Sequence, residues 1–440
     1  MHADLCADVV IVGGGLAGIS CAIGLRDAGL SVVLLEETGS LGGRARSWID
    51  RKSGDVIDLG PHVLLSEHAN MCALLELLGT DRHVVWQHEK LMRLVDGSCS
   101  TDMRMRALTP PLHLLPSLAN VPRLSLREKL SSGPLLWLGM RIDEEEVLRL
   151  DELSAAELLR RYGVPPRLVT WFWASACMSL LNVPLDRCSA GALMRVYAQL
   201  VGHRRFRFGF ADCGLSELYV PAAQRTILAA GGRVHLRSRV VALQYQGGRV
   251  GGVLLEDGTR IAATYCVMAV PPRALARVLP ARRQALRPFC DTHSFEPSPH
   301  VSVYLWLDRK LSDEKFWARV GSGGGLNCGF CDLSNIRAGW ESRASVIASN
   351  IVYSHRAEDM SDEEIVATTM RELAEAVPLA ARARVLHSVV NRMPMAVPCP
   401  VPGTERKRPE TRTSVSGLLL AGDWTRTHVP ACMESAVRSG

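Results

Sequence analysis

The sequence predicts an α/β fold in two interleaved parts, a doubly wound parallel sheet with an α+β domain inserted into it. Three observations carry this. A β-branched run, Asp8 to Val12, enters the glycine turn Gly13 to Gly18 and then an amphipathic stretch ending near Gly29. A second strand, Ser31 to Leu35, delivers an acid, Glu36. The last apolar run of the chain, Gly417 to Leu420, ends in the pair Gly422-Asp423.

The first sixty residues read as a Rossmann-type dinucleotide site. In Gly13-Gly14-Gly15-Leu16-Ala17-Gly18, Gly13 permits the tight turn and Gly15 admits a pyrophosphate close to the backbone. Gly18 lets helix and strand pack closely, and the amides of Leu16 and Ala17 open the helix toward the phosphates. A lone glycine fingerprint is weak, but Glu36 falls about twenty residues on, where a carboxylate accepts ribose hydroxyls. Leu41-Gly42-Gly43-Arg44-Ala45 follows, with paired glycines exposing amides and Arg44 offering a guanidinium fork to phosphate or ring oxygens.

From Gly232 to Pro272 the pattern is a β-meander: Arg233 to Leu236, Arg239 to Gln246, Val250 to Leu255 and Cys266 to Val270, with Gly247-Gly248 and Asp257-Gly258 turns. At the C-terminus Asp423 can accept ribitol hydroxyls, and Met433 begins or continues a last helix. The cofactor domain is therefore expected in three pieces, 1–100, 211–275 and 411–440. The inserted substrate domain takes 101–210 and 276–410.

Composition bounds the partners. At 440 residues the chain is too long for a single core. Hydrophobic residues make up 47%, at the apolar end for soluble proteins, which suits an apolar ligand or a membrane surface. The net charge of +6 includes His203 to Arg207 and Arg282-Arg283, read as solvated surface with anionic lipid as the alternative. Without basic tracts interleaved with stacking aromatics, nucleic acid is not expected. Thirteen scattered cysteines and no signal peptide predict a cytoplasmic protein without disulfides. No run is long enough to span a bilayer, so membrane contact is expected to be peripheral, at the inner face, with Leu108 to Trp137 as the candidate segment and a plain substrate-domain helix pair as its equal alternative. Cys328 and Cys331 stand without a second pair, and His83 and His88 have no helical metal spacing, so no metal is predicted.

Several segments resemble known enzymes. Gly42-Gly43-Arg44-Ala45 resembles the second dinucleotide motif of the flavin amine oxidase and phytoene desaturase superfamily, and Asp58-Leu59-Gly60-Pro61-His62 resembles its stretch along the isoalloxazine ring. Val240 falls where that superfamily contacts adenine. The ending Ala421 to Gly440 is similar to that of hydroxysqualene dehydroxylases, as are Asp58 to Leu65, Trp173 to Pro184, Gly214 to Tyr219 and Ser298 to Trp306. Pro61 stands where a Gln is often found in that family, and Val183 where a Thr is found.

The resemblance implies a flavoprotein fold with non-covalent FAD and a long apolar isoprenoid substrate. It also implies the reductive removal of the hydroxyl of hydroxysqualene, giving squalene for hopanoids. Trp171, Phe172, Trp173, Leu180 and Leu181 are candidate pocket walls, with core packing the bland alternative for each. His62 is the leading proton-donor candidate, with a buried histidine satisfied by a backbone carbonyl as its equal alternative, and Asp58 and Asp212 are lesser ones. Three other readings stay open: a carotenoid or dehydrosqualene desaturase, a flavin amine oxidase, and a non-catalytic isoprenoid-binding flavoprotein. Against the first, the Gly-Thr-His-Pro-Gly type ending of bacterial phytoene desaturases is absent. Against the second, His300 to Tyr304 lacks the lysine that amine oxidases commonly hold near flavin N5. One dinucleotide fingerprint leaves the electron donor an unidentified partner.

Overall fold

A computed structural model describes residues 5–88, 92–97, 99–104, 108–110, 112, 124–202, 206–320 and 325–440. Residues 203–205 of the basic cluster and 111 and 113–123 of the expected membrane segment lie outside the described residues.

The strand Leu5–Val12 lies between Val32–Leu35 and Arg260–Met268, parallel to both. Val9 to Val12 are buried, as expected of a parallel strand covered on both faces. Leu418–Leu420 joins the C-terminal half of Arg260–Met268, so the first and last strands of the chain flank one neighbour. The N-terminal half of Arg260–Met268 instead pairs antiparallel with Arg249–Leu255, which continues to Val240–Gln246. The meander therefore has three strands. Arg233–His235, expected to be its first, pairs parallel with Val32–Leu35 at the opposite edge. A short polar-flanked run specifies a strand but not its partner.

One face of this sheet packs on the helices Leu16–Gly24, Ala69–Leu78, Leu215–Ala229 and Met433–Ser439. The other carries a core shared with the meander and the helix Pro272–Val278.

A second seven-stranded sheet runs in the order Val385–Pro398, Pro297–Leu307, Val346–Ile351, Gly329–Asp332, Phe316–Arg319, Met92–Asp96 and Cys99–Met103. The hairpin Met92 to Met103 belongs here, so the expected border at 100 falls inside it. Val301, Val303 and Leu305 enter the core beneath the helix Asp362–Ala376. The alternate residues of the same strand face the opposite way, toward the first domain. A helical layer over 126–202 has its own core around Trp171, Trp173, Cys177 and Leu193.

Candidate active site

The glycine fingerprint makes a cradle that side chains would fill. A Cβ at Gly13, where φ is +107°, would stand 2.4 Å from the Ala269 carbonyl oxygen, and one at Gly18 only 1.9 Å from that of Gly13. Both positions demand glycine. The second glycine turn is stitched to the first: Gly42 N–H donates to the Gly14 carbonyl (2.8 Å), and Gly15 pairs with Gly42 in a parallel bridge. A Cβ on Gly15 would meet only Gly43 Cα, at 3.9 Å, which leaves its outer side open. The helix Leu16–Gly24 starts there without a side-chain cap, so its first-turn amides, Leu16, Ala17 and Gly18 included, suit a pyrophosphate.

Glu36 is buried and its carboxylate is oriented by backbone. Oε2 accepts from Gly14 N–H at 2.7 Å, and Oε1 from Thr38 N–H and Oγ1 at 2.9 and 2.8 Å. Each oxygen has two lone pairs, so Oε2 keeps capacity for a ribose hydroxyl. Ser238 N–H donates to the Glu36 carbonyl at 2.8 Å, which brings Val240 beside the same end of the cradle. These features fit the adenosine and pyrophosphate of a dinucleotide.

Toward the other end, Arg44 donates to the Ala396 carbonyl (2.7 Å) and to Asp423 Oδ1 (2.6 Å). Asp423 is buried, while Arg44 is partly exposed. Ala45 is anchored by Tyr219 Oη, which donates to its carbonyl at 2.7 Å. The loop after Asp423 is held by a residue that sequence reasoning missed: Arg408 donates to the carbonyls of Asp423, Thr425 and Val429 at 2.8 to 2.9 Å. Glu405 joins Arg408 to Arg195 of the helical layer, all three buried. Gly422, at φ +143°, donates its N–H to Ser439 Oγ at 2.8 Å. Met433 is the first residue of the last helix, whose Glu434 carboxylate accepts from Asn70 and Met71 amides at 3.2 and 2.8 Å.

The segment Asp58 to His62 rests on the second sheet. Ser302 Oγ donates to the Leu59 carbonyl at 2.6 Å, and Asn350 Nδ2 to the Pro61 carbonyl at 2.9 Å. A Cβ on Gly60 would lie 2.9 Å from Asn350 Oδ1. Asp58 accepts from Leu215 N–H (2.8 Å) and from Arg337 (2.6 Å), so both its oxygens serve the helix Leu215–Ala229 and the second domain. His62 Nδ1 donates to the Gly60 carbonyl at 2.7 Å. Burial lowers the His62 pKa, with Arg44 adding to the effect and Asp58 and Gly60 opposing it. The ring is then neutral at neutral pH, with Nε2 carrying the lone pair. This is the alternative that the sequence leaves open for His62, a buried histidine satisfied by a backbone carbonyl.

Leu180, Leu181, Phe295 and Val397 line one small cavity together with the charged side chains of Arg195, Glu405, Arg408 and Asp423. Leu180 and Leu181 thus lie on the same cavity as Asp423. Trp171 and Trp173 lie in the helical core instead: Trp173 Nε1 donates to Ser132 Oγ at 3.3 Å, and its ring centroid is 4.7 Å from that of Tyr197. Asp212 is bound to His83 Nδ1 at 2.9 Å, and these two with Cys213 bring ligand atoms within 4.8 Å of one another. Arg82 Nε faces His83 Nε2 at 3.4 Å, and burial pushes the Cys213 thiol up to about 12, neither of which favours a cation. Burial likewise pushes the Cys328 and Cys331 thiols up to about 11 and about 12, which makes them poor nucleophiles.

Residues 16–440 match the model of the flavin-containing amine oxidoreductases. The chain belongs to that family. A tomato 15-cis-phytoene desaturase is 28% identical over 98% of this chain and 76% of its own length. The hydroxysqualene dehydroxylase of Rhodopseudomonas palustris is 29% identical over 98% of this chain and 96% of its own. A redesigned putrescine oxidase has the same fold, with a TM-score of 0.78 over 99% of this chain and 97% of that one at 19% identity. As a flavin-containing amine oxidoreductase by family, the chain is an FAD-dependent oxidoreductase, and the cradle at Gly13 to Gly18, Glu36, Arg44 and Asp423 is where its residues fit FAD. No helix among the described residues is long and apolar enough to cross a membrane.

Proposed function

We propose that this chain removes the hydroxyl of hydroxysqualene reductively to give squalene, a precursor of hopanoids. The reading is carried by the likeness to the Rhodopseudomonas palustris dehydroxylase, which extends over nearly the full length of both chains. FAD, when bound and reduced, would supply the hydride at N5 of its ring, while the hydroxyl takes up one proton and leaves as water. The chain's own part is to hold the substrate and exclude water. Leu180, Leu181, Phe295 and Val397 supply the apolar part of a small cavity shared with Arg195, Glu405, Arg408 and Asp423, and the clamp of Ser302 and Asn350 fixes the backbone from Leu59 to Pro61. His62 Nδ1–H is committed to Gly60, so Nε2 is free to orient a donor hydroxyl.

A second reading is desaturation of a phytoene-like hydrocarbon, with hydride moving the other way. It is favoured by the plant and cyanobacterial phytoene desaturases, which align over the same 98% of the chain. The two separate in one assay. Holoprotein photoreduced without oxygen and given hydroxysqualene in detergent forms squalene by mass spectrometry if the first reading holds. Oxidised holoprotein that dehydrogenates phytoene, while the reduced form leaves hydroxysqualene untouched, rejects it.

For partners we propose peripheral contact with the cytoplasmic face of a membrane. Leu126, Leu130 and Trp137 are 72%, 62% and 61% exposed on the short helices Leu126–Leu130 and Gly133–Arg141, with Arg127 and Arg141 among them. A separate electron donor completes the scheme, because the sequence holds one dinucleotide fingerprint.

A further inference from the structure

One strand, Pro297–Leu307, runs beneath both halves of the site, and residues 298, 300, 302 and 304 share the face turned to it. Ser298 Oγ donates to the carbonyl of Asn182 (2.8 Å), the left-handed residue that ends the helix bearing Leu180 and Leu181. Ser302 Oγ donates to the Leu59 carbonyl, in the segment that resembles the flavin-ring stretch of the superfamily. His300 falls between these anchors, opposite Met393 in the strand pair.

His300 is 8% exposed, and its buried Nε2 makes no hydrogen bond within the described residues. Leaving a buried polar atom unpaired costs about 1–3 kcal/mol, so an orphan kept between the Ser298 and Ser302 anchors points to a ligand group. Asn350 Oδ1, in the neighbouring row of the same sheet face, is a second such atom. The surroundings narrow the ligand. Burial, with smaller effects of His62 and Arg44, brings the His300 pKa down to about 4, so the ring is neutral and suits an uncharged partner. An isoprenoid alcohol has one polar group, and a hydroxyl can either donate or accept, which satisfies either tautomer.

We infer that His300 Nε2 binds the hydroxyl of a long-chain isoprenoid alcohol and so distinguishes an alcohol substrate from the corresponding hydrocarbon. This rests on the dehydroxylase reading. A site built to hydrogen-bond a hydroxyl rejects the analogue that lacks it, because its own polar atom is left unpaired. A hydrocarbon bound in place of the alcohol would leave Nε2 as it stands in the free protein.

The test uses oxidised holoprotein in detergent, titrated separately with hydroxysqualene and squalene while flavin absorbance is followed. Wild type binds the alcohol roughly tenfold more tightly, the size of one good hydrogen bond. His300→Phe brings the two affinities within about twofold, with squalene binding unchanged. His300→Asn, whose amide does not reach the Nε2 position, behaves the same, whereas His300→Gln, whose amide does, keeps most of the preference. A merely structural histidine would not sort Asn from Gln in this way. A preference that survives both His300→Phe and His300→Asn overturns the inference and leaves the dehydroxylase reading standing. Wild type that binds neither ligand, or prefers squalene, overturns that reading and the inference with it.

Discussion

Arg44 and Asp423 are separated by 379 residues in the chain and by 2.6 Å in the fold. Arg44 follows the paired glycines locked to the fingerprint by the Gly42 to Gly14 hydrogen bond, and Asp423 follows the strand that closes the parallel sheet. Their meeting shows that the cofactor site is assembled from both ends of the chain. It also leaves the Asp423 carboxylate dependent on a charged partner, because the surrounding protein buries it.

Arg44→Ala should therefore release the cofactor as well as weaken the fold. It leaves a buried carboxylate without its guanidinium, at about 2 kcal/mol for a charge-assisted bond. The flavin-to-protein ratio after purification should drop at least severalfold, and Arg44→Lys should restore it only in part, since an ammonium cannot reach Ala396 and Asp423 in one planar fork.

Gly18→Ala should abolish flavin binding. Its methyl group would be forced to 1.9 Å from the Gly13 carbonyl, displacing the turn that presents the first amides of the helix. Strain of about 1–3 kcal/mol follows, to be read as a lower melting temperature together with colourless protein.

Ser302→Ala tests the clamp. The Leu59 carbonyl and Asn391 Nδ2 both lose their partner, which should cost about 1 kcal/mol. The visible spectrum of bound flavin should shift while its stoichiometry stays near that of wild type, because the cradle at Gly13 to Gly18 is untouched.

Acid should destabilise the protein through His300. Unfolded, its imidazole takes a proton near pH 6.5; folded, it does so only near 4. Between these values the unfolded chain binds more protons, so the contribution is fully present above about pH 6.5 and is lost as pH falls to about 4, by roughly 3 kcal/mol at most. His62, also lowered by burial, acts in the same direction. Urea titrations at pH 7 and pH 5 should show a smaller loss for His300→Gln than for wild type.

How much of this was legible in the sequence follows from how local each signal is. The fingerprint, Glu36 and the paired glycines announce themselves because turn, helix start and acceptor lie within thirty-odd residues of one another. Asp423 was visible as a carboxylate after a buried strand, but its partner was not, since pairing across 379 residues has no local signature. Ser302 and His300 hide in HVSVY, whose apolar neighbours read as core. Their spacing of two, shared with Ser298 and Tyr304, is the signal that marks a polar face. For Trp171 and Trp173 the sequence leaves core and pocket wall both open, because an aromatic run looks the same in either, and both side chains pack in the helical core. Glu405 and Arg408 sit in a charged stretch that reads as surface, although both are buried.

The central claim is tested most directly by a single turnover in heavy water without oxygen. Holoprotein reduced there and mixed with one equivalent of hydroxysqualene should reoxidise its flavin and yield an equal amount of squalene carrying one carbon-bound deuterium. Flavin that stays reduced, or squalene formed without deuterium, would contradict hydride delivery to this substrate.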